Sequence, residues 1–184
     1  MSQAPYDPRA IANLILDEAD RIELPLRHIA LQKLLYFVHG MYLSERGKPL
    51  LSGYFEAWRF GPVHPTVYGA FKEAENRPVI SRAQRVNVLT GQKADIASPT
   101  ETDVKRLIER VLSSLGRLSD SRLVQLSHAE DGPWDFIVEK GKGSGAFGLR
   151  IPDEVILCRF KHHKVRVGDS PTPNGESLED TPFA

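Results

Sequence analysis

Between Arg27 and Gly47 the chain reads, at its centre, Leu31-Gln32-Lys33-Leu34-Leu35-Tyr36-Phe37-Val38-His39-Gly40-Met41-Tyr42-Leu43. Apolar residues at 31, 34, 35, 38, 41 and 42 recur at helical spacing. Ile29 and Phe37 widen that face until little of the circumference is polar. A helix apolar nearly all round has to be enclosed by other elements. The polar remainder is one narrow stripe, Gln32, Tyr36, His39 and Gly40. The stretch therefore predicts a mainly α fold, a compact helical domain built around a buried central helix.

The flanking sequence supplies partners for it. Asp7-Pro8 is a helix start, Asp as N-cap and Pro at the first helical position. Ile11, Leu14, Ile15 and Ala19 give that helix a buried face ending near Ile22, and Pro25 separates it from the central helix. Gly47-Lys48-Pro49 closes the central helix, glycine being the common left-handed terminator. Tyr54 to Phe60 reads as a short strand or extended segment, followed by Gly61-Pro62-Val63-His64 and a helix from Pro65 through Phe71 that ends before Pro78. Val86 to Leu89 and Ala94 to Ile96 around Thr90-Gly91 suggest a small hairpin. Thr100 with Asp103 resembles a capping box before a helix carrying Val104, Leu107, Ile108, Val111, Leu112 and Leu115. A shorter helix runs from Asp120 through Leu126. His128 to Trp134 is turn-like, with a helical turn possible after Pro133. Glu139 to Gly148 reads as a glycine-rich loop, and Pro152 opens a last helix through Phe160. Residues 1–164 are expected to form one domain, and 165–184, rich in Pro, Gly and acids, a disordered tail.

Charge and composition narrow the function. The 184 residues carry 24 Lys plus Arg against 24 Asp plus Glu, so no global field draws the chain to nucleic acid or membrane. The single cysteine, Cys158, suits a reducing compartment and, inside an apolar helical stretch, reads as an inert buried thiol. Met1 to Arg9 lacks the basic and apolar regions of a signal peptide, and no apolar run spans a bilayer. A cytoplasmic protein is expected.

No catalytic, cofactor or metal constellation emerges. Gly143-Ser144-Gly145-Ala146-Phe147-Gly148 spells G-x-G-x-x-G, but no strand turns through it into a helix and no βαβ pattern surrounds it. His162 and His163 are adjacent, so on a helix they diverge rather than share an ion. Cys-x-x-Cys and i, i+4 histidine pairs bracketing a glutamate are both missing. What does look specific is the pair of aromatic, proline- and glycine-containing stretches Tyr54 to His64 and Ser127 to Trp134. They read either as loops anchored on the helical core by large aromatics or as part of an interaction surface, where Trp, Tyr and Arg are enriched.

Leu31-Gln32-Lys33-Leu34-Leu35-Tyr36-Phe37 resembles the signature of the Panacea, or SocA-like, antitoxin domain. Glu56-Ala57-Trp58-Arg59-Phe60-Gly61-Pro62-Val63 with Val67-Tyr68 resembles that family's second block, and Leu126-Ser127-His128 with Gly132-Pro133-Trp134 its last. The chain departs at Gly132, where serine or threonine is common, and at Arg159, where tyrosine is typical. The resemblance implies the antitoxin half of a bacterial, often prophage-associated, toxin–antitoxin module. Such a protein neutralises a toxin encoded by a neighbouring gene through protein–protein contact, is not an enzyme, and needs no cofactor. One branch implies a proteolytic adaptor that hands the toxin to ClpXP. A DNA-binding autorepressor is the rival from another class, opposed by the zero net charge, and an enzyme acting on a small molecule comes last.

Within the resemblance, Gln32, Tyr36 and His39 with Trp58, Phe60, Gly61, Pro62 and Val63 are expected to help form the toxin-binding region, and His128, Pro133 and Trp134 to serve as a structural motif. The competing reading makes the helical stripe a buried hydrogen-bonded support for the Trp58 loop. A second expectation gives protease recruitment to residues 165–184 or to the Glu139–Gly148 loop.

Overall fold

The structure is a computed structural model that describes residues 4–142 and 149–164. The first helix, α1 (Pro8–Arg21), begins as the sequence predicts, with Asp7 accepting from the Arg9 amide at 2.9 Å and Pro8 opening the first turn. The central helix, α2 (His28–Arg46), ends at Gly47 with φ +66°, a left-handed cap that costs glycine nothing. Then follow β1 (Phe55–Trp58), β2 (Gly61–Val63), α3 (Pro65–Phe71) with a short 3₁₀ turn, β3 (Gln84–Val86), β4 (Lys93–Asp95), α4 (Thr102–Leu115), α5 (Asp120–Ser127), α6 (Pro133–Gly141), β5 (Leu149–Ile151), α7 (Asp153–Arg159) and a closing 3₁₀ turn, Phe160–His163. The fold is mainly α with a minor β component, as expected.

Helix α2 is the axis. Helices α1, α3, α4, α5 and α7 and strand β2 all pack against it. Leu31, Leu34, Leu35, Tyr36 and Phe37 are wholly buried, and Gln32, Lys33 and His39 are buried with them. Helix α4 closes one side with Val104, Leu107, Ile108, Val111, Leu112 and Leu115, the six residues its periodicity picks out.

Two small antiparallel sheets complete the fold. One has the order β2-β1-β5, the other pairs β3 with β4. In the first, Trp58 lies opposite Gly61, which leaves Arg59-Phe60 as a two-residue turn, and Ala57 opposite Pro62. Proline is tolerated because β2 is the sheet edge. On the other side Phe55 pairs with Ile151 and Ala57 with Leu149.

Several local expectations need correction. Thr100 does not cap α4; the helix starts at Thr102 with Glu101 as N-cap and no side-chain cap bond. Gly61 to Val63 is a strand rather than loop, because β1 offers it a partner. Trp134 lies in α6, and Glu139 to Gly141 continue that helix rather than opening a loop. The expected hairpin exists, but its strands lie two or so residues N-terminal of Val86–Leu89 and one of Ala94–Ile96. Cys158 is exposed, not buried, because α7 turns Val155 and Ile156 toward the core and leaves Cys158 on its outer side. Residues 143–148, which include the G-x-G-x-x-G letters, and the expected tail 165–184 lie outside the described residues.

Candidate functional site

An edge strand presents backbone polar groups with no ladder partner, and β2 is buried against α2, where water cannot supply one. Two consecutive side chains of α2 do so instead. The Lys33 Nζ donates to the Pro62 carbonyl at 3.1 Å, and the Gln32 Oε1 accepts from the His64 amide at 2.9 Å. The other end of the Gln32 amide meets His28 Nε2 at 3.3 Å. Thus α2 stands in for a missing fourth strand. Gly61 lets the pieces approach: its φ is +101°, and a Cβ there would fall 2.3 Å from Ser127 Oγ and 3.1 Å from Lys33 Cε. The first and second sequence blocks are joined at Pro62 and His64, and the second and third at Gly61.

One and two turns further along α2 come Tyr36 and His39. The Tyr36 hydroxyl lies 2.9 Å from His163 Nε2, and His163 Nδ1 lies 2.8 Å from the Leu126 carbonyl. A carbonyl only accepts, so Nδ1 carries the proton and Nε2 accepts from the phenol. This relay ties α2, α5 and the closing turn together. His39 Nε2 meets Asp153 Oδ1 at 3.0 Å and fixes the start of α7. At Gly40, a Cβ would lie 2.0 Å from the Phe160 ring, so only glycine admits that ring.

The two tryptophans form a separate clasp. Trp134 Nε1 donates to the Trp58 carbonyl at 2.8 Å, and its ring stacks on His128 with centroids 3.7 Å apart. Trp58 Nε1 donates to Glu56 Oε2 at 2.8 Å, and its ring packs on Tyr68. Pro133 opens α6 and thereby sets the direction of Trp134.

Burial sets the electrostatics. His28, His64, His128 and His163 are each pushed down to about 4, chiefly by loss of water, since an imidazolium is poorly solvated there. The Lys33 ammonium adds to this at His28 and His128. Burial raises the Asp120 carboxyl despite Arg27, 2.9 Å away, and nearby Lys33. Burial likewise holds the Tyr36 phenol protonated far above neutral pH, which suits its role as donor.

Of the expected contact residues, Gln32, Tyr36, His39, Trp58, Gly61, Pro62 and Val63 are all buried, and Phe60 is half-buried in the turn. The structure brings them together around β2 and the Tyr36–His163 relay, as a hydrogen-bonded interior rather than an open cleft. Lys33, His64 and His163 belong to the same network but not to the expected set. Lys33 left a signal, being the one charged residue between Ile29 and Leu43. His163 left none, because 127 residues separate it from Tyr36. Among the described residues no three His, Cys, Asp or Glu side chains converge as metal ligands, and no helix is long and apolar enough to cross a membrane.

Gln32, Lys33, Tyr36, His39 and the β2 residues of the network, though not His28, Asp153 or His163, fall in the stretch, 31–135, that matches the family model described as Antitoxin SocA-like, Panacea domain. The chain belongs to that family. Among curated proteins, the SocA-like Panacea chain is 46% identical over 177 residues to Antitoxin SocA of Caulobacter vibrioides (strain NA1000 / CB15N), covering 96% of this chain and 93% of that one. No solved structure matches it significantly. In this Panacea domain the blocks that mark the family are the side chains that stitch β2, α5 and the closing turn onto α2.

Proposed function

We propose that this chain is a non-enzymatic antitoxin that binds a protein toxin encoded beside it and neutralises it by direct contact. The observation that carries the reading is the likeness to Antitoxin SocA across 96% of the chain. It extends past the signature blocks to the helices that form the outer surface. The interior geometry agrees with a contact role. Gln32, Tyr36 and His39 of α2 bond inward to His64, His163 and Asp153, and Trp58, Gly61, Pro62 and Val63 are held by the β1–β2 pairing, Lys33 and Trp134. They act on the toxin from beneath, by holding the Arg59-Phe60 turn and its surroundings in one shape. Arg59 is the one exposed member of the second block and Phe60 beside it is half-buried, so this turn is the part of the block that a partner touches.

Co-expression tests the reading. The neighbouring gene alone should arrest growth, and adding this chain should restore growth and co-purify with the neighbour's product. A harmless neighbour that does not co-purify would sink the proposal. With the complex in hand, a folded Phe60→Ala variant should weaken it, and unchanged affinity would remove the turn from the interface.

A further inference from the structure

Six large apolar side chains stand exposed among the described residues, and four of them, Ile80, Val86, Val88 and Leu89, fall within ten positions. Val88 and Leu89 are 97% and 96% exposed, about as much as in an unfolded chain. Nothing in the fold requires them there, since β3 and β4 pack no residue into the core. A lone exposed aliphatic needs no explanation, but a cluster does.

The cluster is held rigidly at both ends. At the root, the Asn13 side chain exchanges two hydrogen bonds with the backbone of Ala83, at 2.9 and 2.8 Å, and Arg82 bridges Asp17 and Asp20 of α1. At the tip, Asn87 Oδ1 accepts from the amides of Leu89 and Thr90 at 2.9 and 3.2 Å, and the Asn87 amide donates to the Gln92 carbonyl at 2.8 Å. Gly91, at φ +70°, closes the turn. Val88 and Leu89 are thus displayed on a preformed turn, and little freedom is left to lose on binding.

A convex tip calls for a concave, apolar receptor. Arg85 and Lys93 flank it, both exposed, and the hairpin's one acid, Asp95, lies at its root, where it accepts from the Gln84 side chain at 3.0 Å. Two cations beside the tip favour a receptor with an acidic rim. Neither of two clefts among the described residues is such a pocket. The cleft of about 410 Å³ between Phe37, Met41, Leu115 and Phe160 is rimmed by Arg110, Lys161 and Lys164, of the same sign as the tip. In the groove beside Ile22, Glu18 is held by Arg21 and Lys105, and Glu109 by Arg21. A second copy is a poor fit on charge.

We propose that the β3–β4 hairpin is the anchor for the toxin, with Val88 and Leu89 entering an apolar, acid-rimmed pocket on it. The assignment rests on the antitoxin reading and adds to the Arg59-Phe60 turn a second, apolar contact with the toxin. The test uses the full chain, the neighbouring gene's product as probe, and the double variant Val88→Asp/Leu89→Asp. Because both side chains lie in water, the variant should unfold at the wild-type denaturant concentration. It should bind the probe at least about tenfold more weakly, as loss of a central apolar anchor does, and no longer restore growth. Leu157→Asp, at the exposed apolar residue of α7, should bind as wild type. A double variant with wild-type affinity overturns the hairpin assignment and leaves the antitoxin reading standing. A wild-type chain that neither binds nor protects overturns both. Self-association of the wild type that the double variant abolishes gives the hairpin to a second copy, and overturns the toxin assignment.

Discussion

Gln32 shows how a single side chain in the apolar helix decides where a distant strand sits. Its Oε1 is the acceptor for the His64 amide, and both groups are buried. Gln32→Leu keeps the volume and leaves that amide unpaired, so it should cost about 1–3 kcal/mol, read from the urea midpoint. Tyr36→Phe removes one donor to His163 and should cost about 1 kcal/mol in the same assay. A Gln32→Leu protein as stable as wild type would mean that the amide finds another partner. The polar stripe Gln32, Tyr36, His39 was legible from helical spacing alone. That it faces inward was one of the two readings the sequence allowed, and only the packing chose it, because spacing fixes which residues share a face and not what covers it.

At the scale of elements, helices were readable and strands much less so. Capping by Asp7 and Gly47 and the six-residue apolar face of α4 are local signals, written within a few turns. Strand β2 is three residues long and exists because β1 and the side chains of Gln32 and Lys33 meet its backbone. Strand β5 pairs with β1 from nearly a hundred residues away, so no local pattern marks it. Gly61 is the joint between these pieces. Gly61→Ala should destabilise by about 1–3 kcal/mol, from the left-handed φ and from the clash with Ser127 Oγ. Adding Ser127→Ala should recover only the clash, so partial recovery of the unfolding midpoint is the diagnostic result. Full recovery would deny the backbone strain, and none would deny the contact.

Across the whole molecule the buried histidines couple stability to pH. His28, His64, His128 and His163 sit near 4 when folded and near 6.5 when unfolded. Below about 6.5 the unfolded chain therefore takes up protons that the folded chain refuses. Stability from these four groups is present in full above that pH and falls as pH drops toward 4. Urea midpoints measured from pH 7.5 to 4.5 should decline through this window, and His163→Gln should show a shallower decline than wild type. A flat profile would mean that the histidines protonate in place.

The helical core, the buried central helix, the zero net charge and the family follow from the order of residues alone, since apolar period, caps and three ordered blocks are all properties of short stretches. That those blocks bond to one another in the interior, that Cys158 faces water, and that Val88 and Leu89 stand on an exposed turn emerge from the packing. Each of these depends on which residues distant in the chain come to cover a given side chain, and burial is a property of that packing.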